Sequence, residues 1–182
     1  MSDYSLGNEM TDKQEKIIEA ALELFANEGY NATPTCKIAD KAGVSEGLIF
    51  RHFKNKKGLL QAINADAETK YREFVSPILF ETDPKMVIKR TIEMPFNVDK
   101  SQFNFWKLQF KLKWEEEYFN PNKVKPLIDK LTTAFERLGY KDPFFEAIKL
   151  NHILEAISID IIRDNLAEQE LYKEFLLRKY SI

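Results

Sequence analysis

The chain has 182 residues, 44% apolar and 31% charged, enough for one sizeable hydrophobic core or two small ones in an ordinary globular protein. A net charge of −2 and an isoelectric point near 5.8 argue against a protein that coats nucleic acid indiscriminately, but they leave room for a local basic patch. A lone cysteine, Cys36, excludes an internal disulfide and fits a reducing compartment, and no apolar run approaches the roughly 20 residues that cross a bilayer.

Residues 1–10 are polar and expected to be disordered. They carry neither the basic nor the apolar stretch of a secretion signal, so a cytoplasmic location is expected. Thr11 with Gln14 makes a capping box, and Ile17, Ala20, Ala21, Leu24 and Phe25 then recur at helical spacing until Gly29 stops the helix. From Thr33 to Lys57 the sequence predicts two short helices and a tight turn. Ile38, Ala39 and Ala42 mark the first helix, Gly43 breaks it, and Ser45 caps a second whose apolar stripe is Ile49 and Phe53. That is a helix-turn-helix, whose second helix can enter a major groove. The other face of this helix carries Glu46, Arg51 and His52, with Gly47 keeping the surface low. Arg51, Lys54, Lys56 and Lys57 gather at its end and at the start of the next helix, which Asn55 caps. Cations at a helix N-terminus oppose its dipole, so phosphate is the expected counterpart.

The segments AALELFANEGYNAT (Ala20 to Thr33), KIADKAGVSEG (Lys37 to Gly47) and LIFRHFKNKKGLL (Leu48 to Leu60) resemble the DNA-binding domain of the TetR family of transcriptional regulators. The resemblance covers about a quarter of the chain. It implies that Thr35, Ser45, Phe50, His52 and Lys56 meet the DNA backbone, and that Glu46, Gly47, Leu48 and Arg51 read bases. Two residues depart from the family pattern. Phe50 replaces the usual tyrosine and loses a hydroxyl, and Leu48 replaces a small or polar residue and could touch a thymine methyl.

Beyond Asn55 a longer helix is expected through Leu59, Leu60, Ile63 and Ala67 to Phe74, ending at Ser76-Pro77. Asp83-Pro84, Asn120-Pro121 and Asp142-Pro143 each pair a capping residue with a proline suited to a first helical position, and another helix should begin near Ser101. Phe103, Trp106, Phe110, Trp114 and Tyr118 form an aromatic stripe that either packs as core or walls an apolar cavity. The family resemblance favours an inducer pocket lined by Phe103, Trp106, Phe110 and Trp114. Glu115, Glu116 and Glu117 beside it read as a solvated acidic face. Residues 144–166 are apolar around most of the helix circumference, and Leu171, Phe175 and Leu176 follow on a shorter one. This pair predicts a homodimer interface through Leu150, Ile153, Leu154, Ile157, Ile161, Leu171 and Phe175, although both helices could instead serve the core of one chain.

No strand-like alternation persists, so the expected fold is all-α. A three-helix DNA-binding domain over residues 1–58 would precede a larger helical ligand-binding and dimerisation domain over 59–182. Cys36 stands in a first helical turn without a partner thiol, and an inert thiol is the plainer reading. His152 reads as an interior or interface histidine, and with His52 far from it in sequence no metal site is expected. The common enzyme signatures and cofactor motifs are absent. The expected function is therefore a regulator, most simply a repressor. It would bind a palindromic double-stranded operator as a homodimer and be released by a small, largely apolar inducer. The rival is a helical small-molecule-binding protein or enzyme whose helix-turn-helix only packs. A third reading keeps the DNA and drops the small ligand.

Overall fold

The computed structural model describes residues 11–115, 118 and 122–182, and the side chains of 66–68 lie outside that description. The expectations for residues 1–10, for a helix start at Asn120-Pro121 and for Glu116 and Glu117 fall outside the described residues. Among those described the fold is all-α, without a strand. The chain forms two compact units. One ends at Glu68, within a helix and past the boundary expected at residue 58, and the other spans Thr69–Ile182.

In the first unit, α1 (Asp12–Glu28) opens on the expected capping box. The Gln14 amide donates to Thr11 Oγ1, and the Thr11 amide donates back to Gln14 Oε1 at 2.9 Å. Its buried stripe of Ile17, Ala20, Ala21, Leu24 and Phe25 goes with packing on α2 (Thr35–Ala42), and α2 packs on α3 (Glu46–Phe53), where Ile38, Ala39, Ile49 and Phe53 are buried as well. The turn between α2 and α3 follows from Gly43, whose φ of +66° is cheap only without a Cβ. There the Val44 amide closes onto the Ala39 carbonyl at 3.0 Å.

The α3–α4 corner is tighter still. Asn55 caps α4 (Lys56–Leu79), its Oδ1 accepting the Gly58 amide at 2.8 Å. A Cβ on Gly58 would stand 2.0 Å from the Phe53 carbonyl oxygen, so only glycine lets the two helices meet there. The expected stop at Ser76-Pro77 does not occur, because α4 continues through Pro77 to Leu79. Proline removes the N–H that would have reached the Glu73 carbonyl, and the Ser76 hydroxyl donates to that carbonyl instead, at 3.2 Å.

The second unit contains α5 (Pro84–Glu93), two 3₁₀ turns (Met94–Asn97 and Lys100–Gln102), α6 (Phe103–Leu112), α7 (Lys125–Arg137), α8 (Pro143–Ile162) and α9 (Gln169–Lys179). Asp83 and Pro84 start α5 as expected, the Asp83 carboxylate accepting the Lys85 amide at 2.8 Å. Asp142 precedes Pro143 in the same way but makes no side-chain cap bond. Helices α7 and α8 form the most extensive pair, around a core that includes Ile88, Leu131, Phe135, Leu150 and Leu154.

On two helices the structure sorts the apolar residues differently from the sequence expectation. On α8, Leu150, Leu154, Ile157 and Ile161 are buried in the chain's own core, so they cannot meet a second copy. Ile153 is half-buried and packs against the same core. On α6 the buried residues are Phe105, Leu108 and Leu112, not the aromatic stripe. That helix ends at Leu112, which leaves Trp114 off it and 91% exposed. Phe103 and Phe110 are only half-buried.

Candidate functional site

The first unit presents one helix to solvent in a way packing does not explain. With Ile49 and Phe53 buried, the helical period puts Gly47 and Arg51 on the opposite side of α3, one turn apart, flanked by the half-buried Leu48. Arg51 is exposed and makes no ion pair among the described residues. Phe50 is exposed beside it, an unusual position for an aromatic with no hydroxyl to hydrate. A Cβ on Gly47 would meet nothing in the protein, so neither backbone angle nor packing demands glycine there. Glycine in a helix costs about 0.5–1 kcal/mol relative to alanine, and here nothing inside the protein offsets that cost. Ser45 is the N-cap residue by backbone geometry, yet its hydroxyl caps nothing.

The start of α3 is tied to the start of α2. Thr35 Oγ1 donates to Glu46 Oε1 at 2.5 Å, joining the first residue of each helix. The basic cluster is narrower than the sequence suggests. Lys37 and Lys41 are paired to Glu28 and Glu23 of α1 at 2.7 and 2.8 Å. Lys56, expected at a phosphate, turns inward. Its ammonium donates to the carbonyls of Tyr30 at 2.9 Å and Thr33 at 3.1 Å, with Asn31 at 3.5 Å, and lies over the Tyr30 ring. Those carbonyls form the turn after α1. That turn also holds the fully buried Thr33, whose hydroxyl donates to the Gly29 carbonyl at 2.8 Å. Sequence reading missed Thr33 and Gly58, because each depends on a backbone atom brought near by folding. Arg51 and Lys54 are left exposed on the outer surface of α3 and its end, with His52 half-buried beside Phe53.

In the second unit an open cleft of about 220 Å³ is lined by Lys70, Glu73, Phe74, Gln102, Phe105 and Trp106. Of the four residues expected to line a pocket, Trp106 is the one that borders this cleft. Its ring packs against Phe74 and Phe105 at 5.4 and 5.2 Å between centroids. Its indole nitrogen is buried without a hydrogen-bond partner. Lys70 lies over the Phe105 ring at 5.0 Å. Elsewhere in this unit Phe144, Phe145, Leu171 and Phe175 are exposed, with Tyr172 and Phe175 stacked nearly parallel. His152 is exposed on the same side of α8 as Phe145. No group of acidic, histidine and cysteine residues that could hold a metal occurs among the described residues, and no helix among them is long and apolar enough to cross a membrane.

Residues 17–63, which contain the whole helix-turn-helix, match the family model for bacterial regulatory proteins of the tetR family. Residues 17–63 thus carry the TetR-family domain. One relative is the uncharacterized HTH-type transcriptional regulator YvkB of Bacillus subtilis, 50% identical over 54 residues. That match covers 30% of this chain and 29% of YvkB, so the chain spans less than a third of that relative's length. The TetR fold extends over nearly all of the chain. A TetR-like regulator from Rhodococcus sp. RHA1 superposes with a TM-score of 0.74 at 19% identity, covering 91% of each chain. The transcriptional regulator FadR from Bacillus subtilis, solved in complex with stearoyl-CoA, superposes with a TM-score of 0.64 at 20% identity, covering 90% of this chain and 95% of FadR.

Proposed function

We propose that the chain is a ligand-responsive repressor that binds a palindromic operator as a homodimer. The observation that carries this reading is the outer side of α3, where an unpaired Arg51 stands one turn from a glycine that the protein itself does not need. A helix with a low surface at its start and a cation near its end suits a major groove flanked by phosphates. Arg51, Gly47, Leu48 and Glu46 face the bases, while Ser45, Phe50, His52 and Thr35 flank the backbone. Lys56 acts from inside the fold.

The second copy covers the outward side of α8, formed by Phe145, His152, Ala156 and Ile159, together with Leu171 and Phe175 of α9. Large exposed side chains such as Phe145 (70%) and Phe175 (49%) support this surface, in place of the buried face expected from sequence. Two copies related by a two-fold axis present two recognition helices about 34 Å apart, as a palindrome requires. The ligand enters the cleft beside Phe74 and Trp106. A small, largely apolar molecule fits three aromatic walls, with Glu73 and Gln102 as polar neighbours. That FadR binds an acyl thioester makes acyl compounds a sensible first set to screen. Ligand releases DNA to the extent that it binds better to a conformer with splayed recognition helices, and α4 runs from one unit into the other.

The rival reading, a helical binding protein with a merely structural helix-turn-helix, gives no reason for the unpaired Arg51. The test is binding of the full-length protein to a randomised DNA pool. A selected palindrome whose affinity falls with salt supports the repressor. Binding that ignores sequence, or no binding, refutes it.

A further inference from the structure

We infer that Glu46 selects a cytosine in each operator half-site, with Thr35 holding its carboxylate ready for the contact. This assignment rests on α3 being the recognition helix, as proposed above. Thr35 and Glu46 are the first residues of α2 and α3, so the 2.5 Å bond between them brings the positive ends of two helix dipoles to one carboxylate. A pair of helix starts would otherwise suit phosphate. Here the anion is already built in, and it repels a second one. A carboxylate at this place on a DNA-facing helix is repelled by phosphates and gains only from a donor on the DNA.

The donors available in the major groove are amino groups on base edges. Adenine presents its amino group beside the N7 acceptor, and guanine and thymine present acceptors at the corresponding places. Cytosine presents its N4 amino group with a C5–H on one side and only the O6 of its paired guanine on the other, whereas the adenine amino group lies between two acceptors, so cytosine suits an acceptor-only carboxylate better. One oxygen of Glu46 is engaged by Thr35, and Glu46 makes no other hydrogen bond among the described residues. The second oxygen is thus available, on a side chain whose rotamer is fixed before DNA arrives. A free glutamate loses much of its rotamer freedom on being ordered, and Thr35 has already removed that freedom. Gly47, next in the chain and without a Cβ, lets the backbone come close enough for a short acidic side chain to reach a base.

The experiment is selection from a randomised duplex pool by three full-length proteins: the wild type, Glu46→Gln and Thr35→Val. The wild type should select a cytosine at one position per half-site, and changing that base should weaken binding on the order of tenfold. Glutamine offers both a donor and an acceptor and suits adenine N6 and N7, so Glu46→Gln should shift the preference at that one position to adenine. Thr35→Val should keep cytosine but lower its advantage several-fold, with the salt dependence of binding unchanged because a neutral hydroxyl displaces no counterion. If Glu46→Gln selects the wild-type base at every position, the assignment is overturned and the repressor reading stands. If the wild type selects no sequence at all, both fall.

Discussion

The ammonium of Lys56, at the start of α4, lies 4.6 Å from the centre of the Tyr30 ring and 2.9 Å from the Tyr30 carbonyl oxygen, in the turn after α1. With Thr33 O at 3.1 Å as well, one side chain staples two helix junctions together. Hydrogen bonds from a charged donor contribute about 1.5–3 kcal/mol when satisfied. Lys56→Met should therefore lower the stability of the protein by about 1–2 kcal/mol in a denaturant titration. The slope of log affinity for DNA against log salt should stay at its wild-type value. A slope smaller by about 0.9 would mean that Lys56 reaches a phosphate after all.

Two glycines in the DNA-binding unit should respond in opposite directions. Gly47→Ala meets no atom of the protein, so it should raise stability by about 0.5–1 kcal/mol and weaken operator binding. Gly58→Ala sets a methyl group 2.0 Å from the Phe53 carbonyl oxygen. It should cost about 2 kcal/mol or more, since backbone cannot move aside as a side chain can. Thermal melts of the two variants, with DNA affinity measured well below each melting temperature, check both statements.

The two sides of α8 separate in the same manner. Leu154→Ala hollows the core of one chain and should lower stability by about 2–5 kcal/mol. Phe145→Glu with Phe175→Glu changes residues exposed on one chain, and should yield well-folded monomers by sedimentation without loss of helix content. A dimer that survives the double change places the two-fold axis elsewhere.

Tyr180 carries a pH signature. Burial first, then Glu146 and Tyr140, push its phenol up to about 12 from an ordinary value of 10.0. Above pH 10.0 the unfolded chain releases this proton and the folded one keeps it, so stability falls as pH rises from there to about 12. Below that window the group contributes no slope. Tyr180→Phe should remove the extra fall. It should also be about 1 kcal/mol more stable at neutral pH, because the hydroxyl is buried without a partner.

The DNA-binding unit was largely legible because its signals are local. A capping box, a turn glycine and a four-residue apolar step each act within a few residues. What stayed hidden there depends on backbone atoms brought near in space: the carbonyls around Lys56, the Phe53 oxygen against Gly58, and the hydroxyl of Thr33. In the second unit the limit was different. Helix α8 is apolar on both sides, so its pattern alone does not tell that Leu150, Leu154, Ile157 and Ile161 face the chain's own core. The stripe from Phe103 to Tyr118 looked continuous only on the assumption of one helix, and the helix stops at Leu112. Ser76-Pro77 misled because a hydroxyl one residue before the proline repairs the missing bond.

That repair sets where α4 is compliant. A serine hydroxyl at 3.2 Å replaces a backbone bond at Glu73, and a side chain can swing away at little cost while a peptide N–H cannot. Glu73 and Phe74 are also walls of the cleft. A molecule wedged against them would therefore press on α4 within one turn of its softest joint, and work done by a small ligand would collect there as bending instead of being shared along the rod.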